Sequence, residues 1–570
     1  MRWATLTQRY SPLGALALVQ VLVIVLAPSV PVERGAVGAF GRPLADGEEA
    51  LSGEAAGAAG EARLTEGQAA GERSGSATAG SRAGAKAGPG GIAAAPGDRS
   101  HCKGMSQFDG ITLPPPCVPK WTGGNNGGAT YMGVTPTSVK VVRYDQMDDP
   151  FLQGLMKEID LAATDAQEEA FMQAAEKFIN QRFELYGRKI EFKTFKSKCK
   201  PLPPEPTCVR PEMAQLVETE KPFFVIWNSP IASAGYDELS ARRVLNAGGW
   251  QFSDRFHTDR RPYHWDVFMS GTRTVQHLAE YWCKRLAGRP PRFAGPAAGK
   301  FDASAARVLG VVTADDPANQ QVLKDFEDLV RGCGGGVRET FSFQQNPDTA
   351  AEQVNTGLDT MIEAKVSTLV CLCDAATPYF IFGGADGKSY HPEHLLPGTG
   401  LMDFDPAGRL YDGWTQWKKS AARPAGGFGI AALPEFEAYA SNDATRVWQG
   451  AGNAGSPHNL AILDWFYYDM VATMIQMAGP ALTPATVEQG AFAAGQYGGG
   501  KTVSGVPISK VGFAPGDYTW FSDVREVAWS STTVSRLDGK RGSYVSLGGG
   551  RRYERGQWPA GEPDPASAPG

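Results

Sequence analysis

Several residue patterns in this chain have the spacing of known chemistry. Gly495, Gly500, Lys501 and Thr502 follow G-x4-G-K-[ST], in which glycine amides cradle phosphates and the lysine reaches the terminal one. That chemistry needs a buried strand before the loop and a helix after it. Here a helix-like run, 484–494, comes first, and a strand-like run, 503–513, interrupted by Gly505 and Pro507, follows. GQYGGGKT therefore reads as a glycine turn. Ser197 and Lys200 fit S-x-x-K but flank Cys199 in a proline-rich loop, and His391 and His394 form H-x-x-H without the glutamate of a zinc protease. No G-x-S-x-G occurs, and the seven histidines are scattered. No acid/base or nucleophile set assembles, so the expectation is a chain that is not an enzyme, with no cofactor and no metal.

The eight cysteines gain meaning from the N-terminus. Arg2 and Arg9 precede an apolar run, 13–27, broken only by Gly14 and Gln20. That is the layout of an export signal, and the run is short for a spanning helix, which takes about 20 residues. Extending it to Val32 crosses Pro28 and Pro31. A cleaved signal and an uncleaved anchor both remain open. Export places the cysteines in an oxidising compartment. Cys102 with Cys117, and Cys199 with Cys208, would each close a local loop, worth about 2–3 kcal/mol in the loop-entropy picture. Cys371 and Cys373 sit in a strand-like run, about 6.6 Å apart at Cα. Each is expected to pair elsewhere or remain a buried thiol. The spacings do not repeat as C-x2-C knuckles, which argues against zinc.

The chain has 570 residues, enough for several domains or two large lobes with tails. Basic residues number 55 against 61 acidic, so no surplus supports nucleic-acid binding. Hydrophobic residues make up 42%, sufficient for a large core. Residues 33–98 are rich in Gly, Ala, Glu and Ser and are expected to form a disordered tether, with a reach of about 45 Å, that continues to 132 as a cysteine-containing linker. A disordered tail is expected from 556. The run 460–477 carries Asp464 and Asp469 and an apolar helical stripe, and so reads as a buried helix rather than a membrane span.

The body between these tails alternates. Strands are expected at 139–145 (VKVVRYD), 189–195, 223–227 (FFVIW) and 250–253, with helices at 165–186, 211–221 and 237–245. The pattern restarts with a helix at 272–286. Strands at 307–313, 337–343 and 368–373 follow, with helices at 319–331 and 349–364 between them. Alternation of this kind gives parallel sheets with right-handed crossovers. In open α/β sheets ligands bind outside the carboxyl ends of the strands. That rule nominates Asp145 and Gln146 after the first strand, then Asn228, Ser229 and Ser233, then Ser253 and Asp254. In the second unit it nominates Thr313, Asp315, Asp316, Asp374, Thr377 and Tyr379. The plainer roles are helix caps for Ser229 and Ser233, a turn for Asp374, and a loop-to-helix start for Asp315 and Asp316.

Three stretches carry a resemblance: GVTPTSVKVV (133–142), RVLGVVTADDPANQQVLKDFEDLVRGCGGGV (307–337) and DTAAEQVNTGLDTMIEAKVSTLVCLCD (348–374). In this order they resemble the opening strand, the second-lobe βαβ unit and the next helix–strand pair of the type I periplasmic binding proteins of ABC transporters. The branched-chain amino acid and amide binders are the nearest group. GDYTWFSD and GKRGSYV, between 513 and 557, resemble long secreted actinobacterial members. The resemblance implies an α/β fold of two Rossmann-like lobes with parallel sheets, joined by a three-strand hinge. Lobe 1 would be 137–267 plus 437–513, and lobe 2 would be 268–436 plus 514–555. It also implies Asp403 as an ammonium-binding carboxylate, with lobe-1 hydroxyls and helix amides taking a carboxylate. The implied function is an extracytoplasmic solute receptor for an amino acid or amide-like molecule, delivering it to an ABC permease. The alternative is a cell-surface sensor or interaction protein on the same fold. The chain would be secreted or tethered, meeting a membrane only through its N-terminal segment. It departs from the family in lacking a lipid-anchoring cysteine after the apolar run, in its long tether and in its many cysteines.

Overall fold

The computed structural model describes residues 95–564, except 203–204, 228–232, 250, 334, 347, 415–426 and 503. The expected signal or anchor, the tether up to residue 94 and the last six residues lie outside the described residues.

The first unit starts with β1 (Ser138–Asp145), whose central residues are buried on both faces. Next come α1 (Pro150–Glu158), α2 (Asp165–Arg182), β2 (Lys189–Lys196), α3 (Pro206–Glu220) and β3 (Phe224–Ile226). α4 (Ser233–Ala241), β4 (Leu245–Ala247), α5 (Asp254–Asp259) and β5 (His264–Trp265) complete it. The sheet order is β2-β1-β3-β4-β5, and every pairing is parallel. α2 opens with a capping box, Thr164 against Gln167, which satisfies two of its free amides.

The second unit runs α6 (Gly271–Tyr281), β6 (Leu309–Ala314), α7 (Pro317–Val330), β7 (Val337–Phe343) and α8 (Ala350–Glu363). It continues with β8 (Thr368–Leu372), α9 (Thr377–Gly387), β9 (Glu393–Pro397), α10 (Asp405–Tyr411) and β10 (Gly427–Ala431). β7-β6-β8-β9-β10 repeats the strand order of the first sheet. The chain then forms α11 (Asp443–Gly450), α12 (Ala461–Ala478) and α13 (Pro484–Ala494), with a small hairpin, β11 (Gln496–Gly498) and β12 (Lys510–Gly512). Finally β13 (Val524–Val534), β14 (Arg541–Ser546) and β15 (Arg552–Tyr553) extend the second sheet antiparallel from β10. The fold is thus the expected pair of α/β units with parallel sheets.

The chain passes between the units three times, at 266–270, 432–442 and 513–523. Two of these passages pair with each other: Asp266 N donates to Tyr518 O at 3.0 Å, and Phe521 N donates to Val267 O at 3.0 Å. α12 returns to the first unit, where Trp465 meets Phe178 edge-on at 5.8 Å. No helix among the described residues is long and apolar enough to cross a membrane.

Five expectations need correction. The helix expected at 237–245 lies at 233–241, and the strand expected at 250–253 lies at 245–247 as β4; Asn246 hides that strand, because it is a polar residue satisfied inside the sheet by His264 Nδ1 at 2.7 Å. The linker before 133 is folded from residue 95 on: Phe108 packs on Phe183 at 5.2 Å, and Thr112 N donates to Asp443. The tail is folded to 564, with Trp558 stacked on Tyr553 at 4.3 Å and Glu562 paired with Arg307 at 2.8 Å. Cys371 and Cys373 are bonded to each other, because β8 ends at Leu372 and the bend after it brings their Cα atoms to 5.2 Å. The glycine pattern at 495–502, read from sequence as a turn, lies in the hairpin and leads from β11 toward β12, with a strand where a phosphate loop needs a helix.

Candidate functional site

The carboxyl ends of both sheets face one cavity of about 290 Å3. From the first unit it is lined by Gln146, just beyond β1, and by α1. Asp149 builds α1: its carboxylate accepts from Phe151 N and Leu152 N, both at 3.0 Å, and Pro150 occupies the first turn. Phe151, Leu152, Leu155 and Met156 then fall on one stripe, half-buried and facing the cavity, while Ile159 anchors the end of the helix in the core. From the second unit come Phe343 to Asn346 beyond β7, Asp374 to Thr377 beyond β8, and Gly400 and Leu401 beyond β9. Phe268, from the 266–270 passage, and Leu463 and Tyr467, from α12, also line it. Phe151 of the first unit stacks on Phe380 of the second, ring centroids 6.1 Å apart and 21° between planes. Gln251 Nε2 donates to Cys373 O across the same cleft at 3.0 Å.

The polar groups of the cavity are few, and most are already engaged. Asp374 Oδ1 accepts from Ala376 N at 2.7 Å and Thr377 N at 2.9 Å, and its Oδ2 accepts from Thr377 Oγ1 at 3.0 Å. Gln353 holds both backbone groups of Gln344. Asn346 Oδ1 accepts from Asp348 N at 3.0 Å. Tyr467 donates to Asp266 at 3.2 Å. Among the described residues none is hydrogen-bonded to the side chains of Gln146, Gln344 or Gln345. Among the described lining residues Asp374 is the one charged side chain.

Of the residues nominated from sequence, Gln146, Asp374 and Thr377 come together on the cavity. Asn228 and Ser229 lie outside the described residues. Asp145 ends β1 and pairs with Lys196 and with Arg143, the latter at 3.4 Å. Ser233 begins α4. Ser253 is buried and caps α5, accepting from Phe256 N at 3.1 Å. Asp315 is exposed beyond β6. Tyr379 faces Trp414 edge-on at 5.7 Å, off the cavity. Asp403 is buried in the hinge, where its Oδ2 accepts from Leu433 N at 3.1 Å. Burial pushes its carboxyl up to about 6, against the pull of Arg525. Sequence reasoning missed α1, whose signal was present: Asp-Pro at a helix start, followed by apolar residues at 151, 152, 155, 156 and 159.

No known family model and no curated protein matches the sequence. Solved structures do. A solute-binding protein of an ABC transporter from R. palustris, in complex with 4-hydroxybenzoate, is 12% identical; the match covers 74% of this chain and 98% of that one, with a TM-score of 0.48. The leucine-, isoleucine-, valine-, threonine- and alanine-binding protein from Brucella ovis, in a closed conformation, is 10% identical, covering 75% and 98%, with a TM-score of 0.48. A periplasmic binding protein from Burkholderia mallei is 11% identical, covering 73% and 95%, with a TM-score of 0.49.

The cavity itself offers aromatic and aliphatic walls and the carboxamides of Gln146, Gln344 and Gln345, which can donate or accept. It presents no nucleophile paired with a base among its described residues.

Proposed function

We propose that this chain is an extracytoplasmic solute receptor that encloses one small molecule between its two α/β units and hands it to an ABC permease. The observation that carries this reading is the 290 Å3 cavity, lined from both units at the carboxyl ends of β1, β7, β8 and β9. Three hinge passages support it, because they let the units open and close as bodies. The amino-acid half of the expected ligand class finds little support in a lining this apolar; the amide half fits the lining carboxamides, Gln146 and Gln345 among them. Delivery to a permease and tethering by the N-terminal segment complete the reading.

The test is a thermal-shift screen of the full chain with amino acids, amides, aromatic acids and neutral aromatics. A ligand at 100 times its Kd adds about 2.7 kcal/mol to the folded state. A clear shift with one chemical class supports a receptor. A flat response across the panel from well-folded protein sinks it and favours a surface interaction protein.

A further inference from the structure

We infer that the solute is an uncharged, mainly apolar molecule about two aromatic rings in size, held at its polar groups by Gln146 and Gln345. This rests on the cleft being the solute site, and goes beyond it by assigning charge and size.

Size comes first. An apolar cavity of roughly 150 Å3 takes one benzene ring. The cleft, at about 290 Å3, has nearly twice that room. The stacked pair Phe151 and Phe380 gives it flat walls.

Charge is decided by what the cleft lacks and by what already occupies it. Among the described lining residues there is no Lys, Arg or His. Arg143, in β1, is held by Glu168 at 2.7 Å and Asp145 at 3.4 Å and does not line the cavity. Three helices, α1, α8 and α9, begin at the cleft, and helix N-termini commonly receive anions. Those of α1 and α9 are already occupied by the chain's own carboxylates, and α8, which has no side-chain cap, carries Glu352 in its first turn. Asp149 takes the amides of Phe151 and Leu152, and Asp374 takes those of Ala376 and Thr377. Pro150 and Pro378 contribute no amide hydrogen. A ligand carboxylate would meet Asp374 with no cation to offset it, and burying an unpaired charge costs far more than burying a paired one. A zwitterionic amino acid meets the same obstacle at its carboxylate end. Asp374 already accepts three hydrogen bonds, which leaves about one of its four acceptor positions, on Oδ2, for an ammonium group that needs three acceptors.

Gln146 belongs to the first unit and Gln345 to the second. Each carboxamide both donates and accepts, so each suits a hydroxyl, carbonyl or amide and neither calls for a charge.

The experiment titrates the full chain calorimetrically at pH 7 with four probes: 2-naphthamide, 2-naphthoate, 2-(aminomethyl)naphthalene and leucine. The first three share one ring system and differ in charge. The expected result is that the amide binds at least about tenfold tighter than either charged naphthalene, with no heat from leucine. Gln146→Leu and Gln345→Leu should each weaken the amide by about 3–10-fold without moving the urea midpoint. If the naphthoate or leucine binds as tightly as the amide, the charge assignment falls while the solute receptor stands. If none of the four binds but another class shifts the melting temperature, this inference alone is overturned. If nothing binds in either assay, both readings fall together.

Discussion

Asp403 sits where the second sheet hands the chain back through the hinge. Its carboxyl is pushed up to about 6 by burial, and its Oδ1 has no hydrogen-bond partner. In the unfolded chain the same group titrates near 3.8. Between about pH 4 and 6 the folded state therefore holds a proton that the unfolded state has lost. Stability is fully present below pH 4 and falls as pH rises through 6, by up to about 3 kcal/mol from this one group. Asp403→Asn keeps an acceptor for Leu433 N and cannot ionise. The stability difference between variant and parent, from urea curves, should grow by up to that amount between pH 4 and 7. Parallel curves would mean that the hinge carboxylate is solvated. The side chain nominated from sequence as a ligand-binding carboxylate thus acts on the hinge itself. By contrast Asp374, nominated by the same strand-end rule as Asp145 and Asp315, does reach the cleft, and there it spends its oxygens on α9.

At the scale of elements, α1 separates what folding requires from what the ligand requires. None of its residues is fully buried, yet four apolar ones share a stripe along the cleft. A helix packed into a core would bury such a stripe; here a solute can cover it. Leu155→Gln should therefore move the urea midpoint by less than about 1 kcal/mol in stability. It should also weaken an apolar solute roughly tenfold, the affinity carried by burying part of a leucine side chain. A large loss of stability with unchanged affinity would make α1 a structural brace. This same division explains what could be read in the sequence. β1, β6 and β8 are apolar runs fixed by burial on both faces, and their periodicity is plain. β4 is three residues with a polar centre, and β9 begins with Glu393, neutralised only by Arg307 from a distant part of the chain at 2.7 Å. Local pattern cannot display a partner that tertiary structure supplies. The strand-end rule found the loop after β8, but it does not nominate a helix laid across those ends, and α1 supplies Phe151, Leu152, Leu155 and Met156 to the cleft's apolar wall.

For the whole molecule, the question is what holds the two units together around the cleft. Among the described residues, the contacts between the units include the Phe151–Phe380 stack, the hydrogen bond from Gln251 Nε2 to Cys373 O and the Lys540–Asp160 ion pair. The second is informative because its acceptor belongs to the Cys371–Cys373 turn, directly ahead of Asp374. Ligand binds the closed arrangement through walls from both units, so its apparent affinity carries the fraction of molecules already closed. Removing the Gln251 side chain takes a contact of about 1 kcal/mol from the closed state alone. Gln251→Ala should then weaken any cleft ligand by roughly fivefold and leave the urea midpoint near that of the parent. In small-angle scattering the ligand-free variant should show a larger radius of gyration than the parent, and saturating ligand should bring the two together. Equal radii without ligand, with equal affinities, would mean that the units are held shut by the hinge passages themselves and that the cleft is a fixed pocket.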